Sequence, residues 1–122
     1  MNSELGNWLS GYIDAKGHFS VKPCRFKLYS NMCDLIRDFV GFGTVHSHKT
    51  GQYSWEVQSK ADCLALTELL DLHPLRSSKQ TEYLVWRRAV VFWNQADNVI
   101  DRKQAMDFLE ERLKDVRLSR KL

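Results

Sequence analysis

Only three cysteines occur in the 122 residues, Cys24, Cys33 and Cys63, and no two of them form a CxxC pair. A disulfide framework uses cysteines in even numbers and a zinc site uses closely spaced ones, so the sequence supports neither. The three thiols read as small buried hydrophobes of a protein kept reduced. No apolar run is long enough to span a bilayer, so no membrane partner is expected. The opening Met1-Asn2-Ser3-Glu4-Leu5-Gly6 lacks the basic start and apolar run of a secretory signal, and it is not the Arg-rich segment of a transit peptide. The expected setting is therefore intracellular, cytoplasm or organelle interior. Charge of one sign is scarce as well: 18 Lys+Arg against 15 Asp+Glu leave a net +3. So mild an excess permits a nucleic-acid partner without requiring one, and the placement of the charges must decide. No linker, low-complexity tract or full internal repeat occurs, which leaves one domain over residues 1–122. What is present, 43% hydrophobic and 27% charged residues, suits a packed core and argues against disorder.

Hydrophobic periodicity sets the expected elements. Leu5, Trp8, Leu9, Tyr12 and Ile13 recur at helical spacing behind Ser3, predicting a helix to Ala15 that Gly17 ends in a positive-φ conformation. His18–Lys22 and Cys24–Tyr29 alternate polar and apolar on either side of Pro23, giving two short strands or one bent strand. A second helix covers Met32–Val40, with Leu35, Ile36, Phe39 and Val40 on one face, and stops at Gly41-Phe42-Gly43. Strands over Thr44–His48 and Gln52–Gln58 flank a turn with Lys49 at its tip. Ser59-Lys60-Ala61-Asp62 opens a third helix, Ser77-Ser78-Lys79-Gln80 a fourth, and Asp101-Arg102-Lys103-Gln104 a fifth. On the fifth, Ala105, Phe108, Leu109, Leu113 and Val116 should face inward, with a frayed polar tail from Arg117.

The first helix carries a second pattern. Ser10, Gly11, Asp14 and Ala15 are small or short and share a face, and Gly11 with Ala15 at i+4 lets another helix backbone approach closely. Flanked by Trp8, Leu9 and Tyr12, this seam predicts a partner helix.

The stretch Leu9-Ser10-Gly11-Tyr12-Ile13-Asp14-Ala15-Lys16-Gly17, followed by His18-Phe19, resembles the LAGLIDADG signature of homing endonucleases and related maturases. The resemblance continues through Asp34-Leu35-Ile36 to Phe39-Val40-Gly41-Phe42-Gly43, and through Ser78-Lys79-Gln80-Thr81-Glu82-Tyr83 to Trp86. It implies an α+β fold: an αββαββα core with a saddle-shaped antiparallel sheet, here with extra C-terminal helices. One motif per chain implies a homodimer joined through Trp8, Leu9, Gly11, Tyr12 and Ala15. In this family the last acid of the motif holds a divalent metal against the scissile phosphate, because Mg²⁺ prefers anionic oxygen. That position is Lys16, whose ammonium would repel the ion. Asp14, roughly 200° away around the helix, is a weak substitute, and its family counterpart is more often structural. Lys79 corresponds to the family's lysine near the active centre. No cofactor is therefore expected, Mg²⁺ entering only if displaced ligands serve. A second departure is the brevity of the first strand pair between Gly17 and Met32, which trims the surface expected to read bases and leaves room for a shape-read RNA.

Alternation assigns the strand faces. Phe19, Val21, Cys24, Phe26, Leu28, Val45, Tyr53, Trp55 and Val57 should point inward. His18, Ser20, Lys22, Arg25, Lys27, Tyr29, Thr44, His46, His48, Gln52, Ser54, Glu56 and Gln58 should point outward. With Lys16, Lys49 and Lys79, the outward set gives cations for phosphates, polar groups for base edges, and Tyr29 for stacking. His46 and His48 lack a third metal ligand; Trp86, Phe92 and Trp93 read as packing groups, and Arg87, Arg88 and the Arg117–Lys121 tail as solvated charge. Three functions follow: a catalytically degenerate, dimeric nucleic-acid binder, such as a splicing helper, an rRNA-associated factor or a DNA-binding regulator; an active endonuclease using displaced ligands such as Asp14; or a dimerisation module whose sheet contacts protein.

Overall fold

The computed structural model describes residues 3–95 and 99–121. The cap expected at Asp101 and the tail residues Arg120, Lys121 and Leu122 lie outside the described side chains. Five helices and four strands follow in the order α1 (Ser3–Lys16), β1 (Gly17–Ser20), β2 (Arg25–Tyr29), α2 (Cys33–Val40), β3 (Thr44–Ser47), β4 (Tyr53–Val57), α3 (Lys60–Leu72), α4 (Lys79–Gln95) and α5 (Val99–Lys121). The strands form one antiparallel sheet in the order β1-β2-β4-β3. This is the α+β arrangement that the motif resemblance implies, with α4 and α5 packed against each other beyond the αββαββα core.

The strands are antiparallel because each αββ stretch is a local hairpin, and β2 and β4 then zip the two hairpins together with Leu28 opposite Trp55. One face of the sheet is apolar. Phe19, Phe26, Leu28, Trp55 and Val57 are buried there under the helices. The Phe19 ring lies 5.0 Å from Phe26 and 5.1 Å from Trp86 of α4, and Phe26 lies 5.7 Å from Trp55. Such tilted aromatic contacts add to the area that the rings remove from water. Cys24, Cys33 and Cys63 are free and buried, and burial raises all three thiols, Cys24 and Cys63 to about 12.

Helix α2 stops where Gly41 takes a left-handed conformation (φ 80°) and donates to the Arg37 carbonyl. Gly43 is more constrained. Its φ is +86°, and a Cβ there would overlap the indole nitrogen of Trp55, which donates to the Phe42 carbonyl at 3.0 Å. Because Trp55 is fully buried it has no room to yield. Gly43→Ala is expected to destabilise the fold by about 2–3 kcal/mol, from the strained φ together with the overlap; chemical denaturation would measure it.

Several expectations are corrected. Gly17 does not end α1 at positive φ; it starts β1, and its missing side chain makes room for the Phe26 ring. Tyr53 shares the inward register of Trp55 but is the first residue of β4, at the sheet's end, and is 45% exposed. On α5 Leu109 and Leu113 are buried as expected, joined by Met106, and Val116 packs against the core, while Phe108 faces out at 63% exposure. Leu35 of α2 also faces out. Among the described residues, no helix is long and apolar enough to cross a membrane.

Candidate nucleic-acid interface

Among the described residues, the second face of the sheet is polar and largely exposed. His18, Ser20, Arg25, Tyr29, His46, Gln52 and Gln58 are exposed along it or at its ends, with Lys49 at the β3–β4 tip and Lys27 and His48 half-buried between them. Two members of the expected set lie elsewhere. Ser54 is fully buried within the central strand β4, so it supports the face rather than contacting a ligand. Lys22 falls in the β1–β2 turn, where alternation no longer applies, and its ammonium sits 2.6 Å from Asp107 on α5.

The centre of this face is organised by Glu56, a residue that alternation placed outward but that sequence reasoning did not single out. It is only 8% exposed. The Ser54 hydroxyl donates to one carboxylate oxygen and the Gln58 amide to the other, each at 2.8 Å. Lys27, opposite Glu56 in register, and His46 each bring a nitrogen to 4.0 Å, and His48 Nε2 pairs with the Ser54 hydroxyl at 2.8 Å. Burial pushes the Glu56 carboxyl up, but the Ser54 hydroxyl, Lys27, His46 and Gln58 outweigh it and hold the group below its ordinary value. An ionised carboxylate thus anchors a lysine, a histidine and a glutamine in fixed positions on an otherwise cationic face. No local pattern marks this role, which depends on the β2–β4 and β3–β4 registers.

At the foot of α1, Lys16 is exposed, and its ammonium lies 5.4 Å from the Tyr12 ring centroid. The next residue, Gly17, offers its carbonyl to Lys79 Nζ at 2.7 Å, which brings Lys79 from the start of α4 to the same spot. His18 follows; burial and then the charges of Lys79 and Arg117 depress its pKa. Arg117 reaches this corner from α5, donating to Glu82 at 2.8 Å and to the Phe19 carbonyl. It was expected in a frayed tail, but the helix continues to Lys121.

Asp14 points away from this cluster, toward the loop before α4. Its carboxylate accepts from the Arg76 amide at 2.9 Å, the Ser77 amide at 3.0 Å and the Ser77 hydroxyl. Burial raises the Asp14 carboxyl, but the Ser77 hydroxyl, the two amides and the Lys79 charge outweigh this and hold it below 3.8. A carboxyl lowered on folding stabilises the fold above its unfolded pKa and loses that contribution as the pH falls through the folded value. Asp14→Asn is therefore expected to lower stability by about 1–2 kcal/mol at neutral pH, with the gap from the natural chain closing as acidification passes below the ordinary aspartate range. Urea melts across pH would follow it.

A family-type metal site needs carboxylate oxygens at the foot of α1. The donors there are an ammonium at Lys16, a carbonyl already bonded to Lys79, and an Asp14 carboxylate turned to the loop. That set does not fit a hard divalent cation. Among the described residues, no group of three or more His, Cys, Asp or Glu is arranged to hold a metal.

The small-residue seam of α1 divides. Ser10, 4% exposed, donates to the Pro74 carbonyl, and Asp14 holds the same loop, so both serve the chain's own packing. Leu9 is fully buried in the core and cannot form a partner interface as expected. Gly11, Ala15 and Trp8 remain exposed, with Tyr12 half-buried and, among the described residues, nothing within 4 Å of the space above Gly11. Trp8 packs edge-on against Tyr12 and Phe39.

A motif helix beside a four-stranded antiparallel sheet with one open polar face defines a LAGLIDADG-type α+β fold. The sequence profile of the LAGLIDADG endonuclease family matches residues 25–90, more than half of the chain. The chain belongs to that family, and the matched region excludes the motif itself, so the two signals are separate. An uncharacterized 50.9 kDa protein in ND4 intron 1 of Podospora anserina is 25% identical over 111 residues, 73% of this chain and 24% of that protein. The chain thus spans about a quarter of the length of that curated relative. The archaeal intron-encoded homing endonuclease I-Vdi141I, in complex with DNA, superposes with a TM-score of 0.80 at 16% identity, over 93% of this chain and 84% of that one. The homing endonuclease I-TnaI gives 0.69 at 18% identity, over 93% and 96%. At these identities the likeness is one of fold.

Proposed function

We propose that this protein is a homodimeric nucleic-acid binder that has exchanged the family's metal ligand for a phosphate-binding lysine and does not cleave what it binds. The observation that carries the reading is the foot of α1, where Lys16 stands at the acid position and Lys79 is bonded one residue further on. A metal bridges a ligand carboxylate to a phosphate; an ammonium contacts the phosphate directly and supplies no activated water. The sheet face carries the rest of the contacts: Arg25, Lys27 and Lys49 toward phosphates, with Gln52, Gln58 and His46 toward base edges or riboses. Gly11, Ala15 and Trp8 present the open surface on which a second α1 packs, lining up two sheets into one continuous cradle. That I-Vdi141I, of the same fold, is complexed with DNA supports a nucleic-acid partner for this chain. The polymer is duplex DNA or a structured RNA, such as an intron or ribosomal segment.

The test is a salt titration of binding to duplex DNA and to structured RNA, with Mg²⁺ and with a chelator, alongside the molar mass in solution. Expected are a dimer, an affinity that falls linearly on a log–log plot against salt, indifference to the chelator, and no nicking. Mg²⁺-dependent nicking would transfer the case to an endonuclease with displaced ligands. Absence of binding at low salt would leave a protein-contact module, and a monodisperse monomer would remove the dimer.

A further inference from the structure

A cavity of about 320 Å³ opens at the end of the sheet beside the foot of α1, lined by Lys16, Tyr29, Asn31, Gln52 and Tyr53 with the backbone of neighbouring turns. Its contents are unusual for a solvated sheet end. Two tyrosines, 37% and 45% exposed, come from the neighbouring strands β2 and β4 and both line the opening. Two amide side chains, each able to donate and accept, stand with them. One ammonium lies at the side, steadied by the Tyr12 ring 5.4 Å away.

The walls are held in place. Tyr12 and Ser30 share a hydrogen bond of 2.5 Å, and the Ser30 hydroxyl also accepts from the Met32 amide at 2.9 Å, fixing the turn that carries Asn31. Tyr29 is flanked by the His48 ring at 5.5 Å and by Lys27 Nζ at 5.6 Å. The Ser30 amide donates to the Tyr53 carbonyl at 3.0 Å, locking the two tyrosine-bearing segments together.

We infer that this cavity receives one unpaired nucleotide of the bound nucleic acid. Its volume, near the lower end for small-ligand sites, suits a single nucleotide and excludes a base pair in its helix. The tyrosines supply stacking surface for a base, the amides of Asn31 and Gln52 can pair with its edge, and Lys16 meets the phosphate. The inference rests on the nucleic-acid reading above and adds to it: paired backbone lies along the sheet face, while an extruded residue, such as a bulge in a structured RNA, is captured at the sheet's end.

The experiment uses the full chain and two RNA probes, a fully paired duplex and the same duplex with a single 2-aminopurine bulge. The bulged probe should bind about tenfold tighter, the scale of stacking one base on one ring, and its fluorescence should be quenched on binding. Tyr53→Ala should abolish both the preference and the quenching while binding of the paired duplex persists. Asn31→Ala, at an exposed turn position, should reduce the preference without touching a strand. Equal affinity for the two probes, or a preference that survives Tyr53→Ala, overturns the nucleotide cavity and leaves the sheet-face reading intact. Binding of neither RNA probe while a paired DNA duplex binds overturns the nucleotide cavity alone; binding of none of the three at low salt overturns both.

Discussion

On the proposed exchange of a metal ligand for a lysine, a Lys16→Asp variant is expected to bind nucleic acid with an affinity that depends on a divalent cation. The substitution changes the charge at the foot of α1 by two units per chain, replacing a phosphate-seeking ammonium with a carboxylate that repels phosphate. In a chelator the variant should bind duplex about tenfold or more weakly than the natural chain at moderate salt, since each lost phosphate contact removes its released counterions. Mg²⁺ or Ca²⁺ at about millimolar concentration should restore the affinity, because an exposed carboxylate beside a phosphate is a hard-oxygen site. The natural chain should show no such response. Lys79 limits the gain: its bond to the Gly17 carbonyl keeps a positive charge next to the new ligand. A Lys16→Asp, Lys79→Ala double variant should therefore respond at lower metal concentration. If Lys16→Asp binds like the natural chain with and without metal, Lys16 is remote from phosphate and the proposed exchange of ligand for lysine is wrong.

The second large effect concerns stability. Arg117→Met is expected to destabilise the fold by about 3 kcal/mol, lowering the melting temperature on the order of 10 °C. Glu82 on α4 is 3% exposed, and Arg117 donates to its carboxylate at 2.8 Å while also reaching the Phe19 carbonyl of β1. One guanidinium thus joins the last helix, the fourth helix and the first strand. Removing it takes a charged partner from a buried carboxylate, which is far more damaging than losing an exposed pair. Arg117→Lys keeps the charge but not the planar fork that serves two acceptors, so it should recover only part of the loss. Arg37→Ala is the contrast: its partners Asp34 and Asp38 are solvent-exposed, and the change should be small. Thermal and urea melts of these variants measure the difference; equal effects would show that Arg117 is only a surface charge.

These two residues illustrate what the chain reveals before folding. The departure at Lys16 is legible because it falls inside a nine-residue motif of fixed helical phase. The alternation over His18–Ser20 and Arg25–Tyr29 assigns the faces of the two strands correctly, since a period of two depends only on neighbours. Arg117 is misplaced because nothing in a polar C-terminal stretch shows that Glu82, far back in the sequence, lies beneath it. Ser54 illustrates a similar limit. Alternation gives its face correctly but not its depth, which follows from β4 lying between β2 and β3 with larger side chains on both sides. The period also misleads where it ends: Lys22 lies past the last residue of β1, and Tyr53, the first residue of β4, is exposed at the sheet's end. Leu9 is mistaken for interface because α1 has two apolar aspects, one toward its own core and one outward, and helical spacing alone does not order them.

The sheet itself has consequences for how copies of the chain meet. Its two margins are β1 and β3, both only four residues long. At β1 the Phe19 carbonyl is already taken by Arg117. At β3, Thr44, His46 and Ser47 are exposed and polar, and the Thr44 hydroxyl is paired with His46 at 3.0 Å. Short, polar or already-occupied edges offer little template for another strand, so end-to-end stacking of sheets into fibrils is disfavoured. That leaves the helical flank, where the backbone at Gly11 lies bare, as the surface for the proposed dimer.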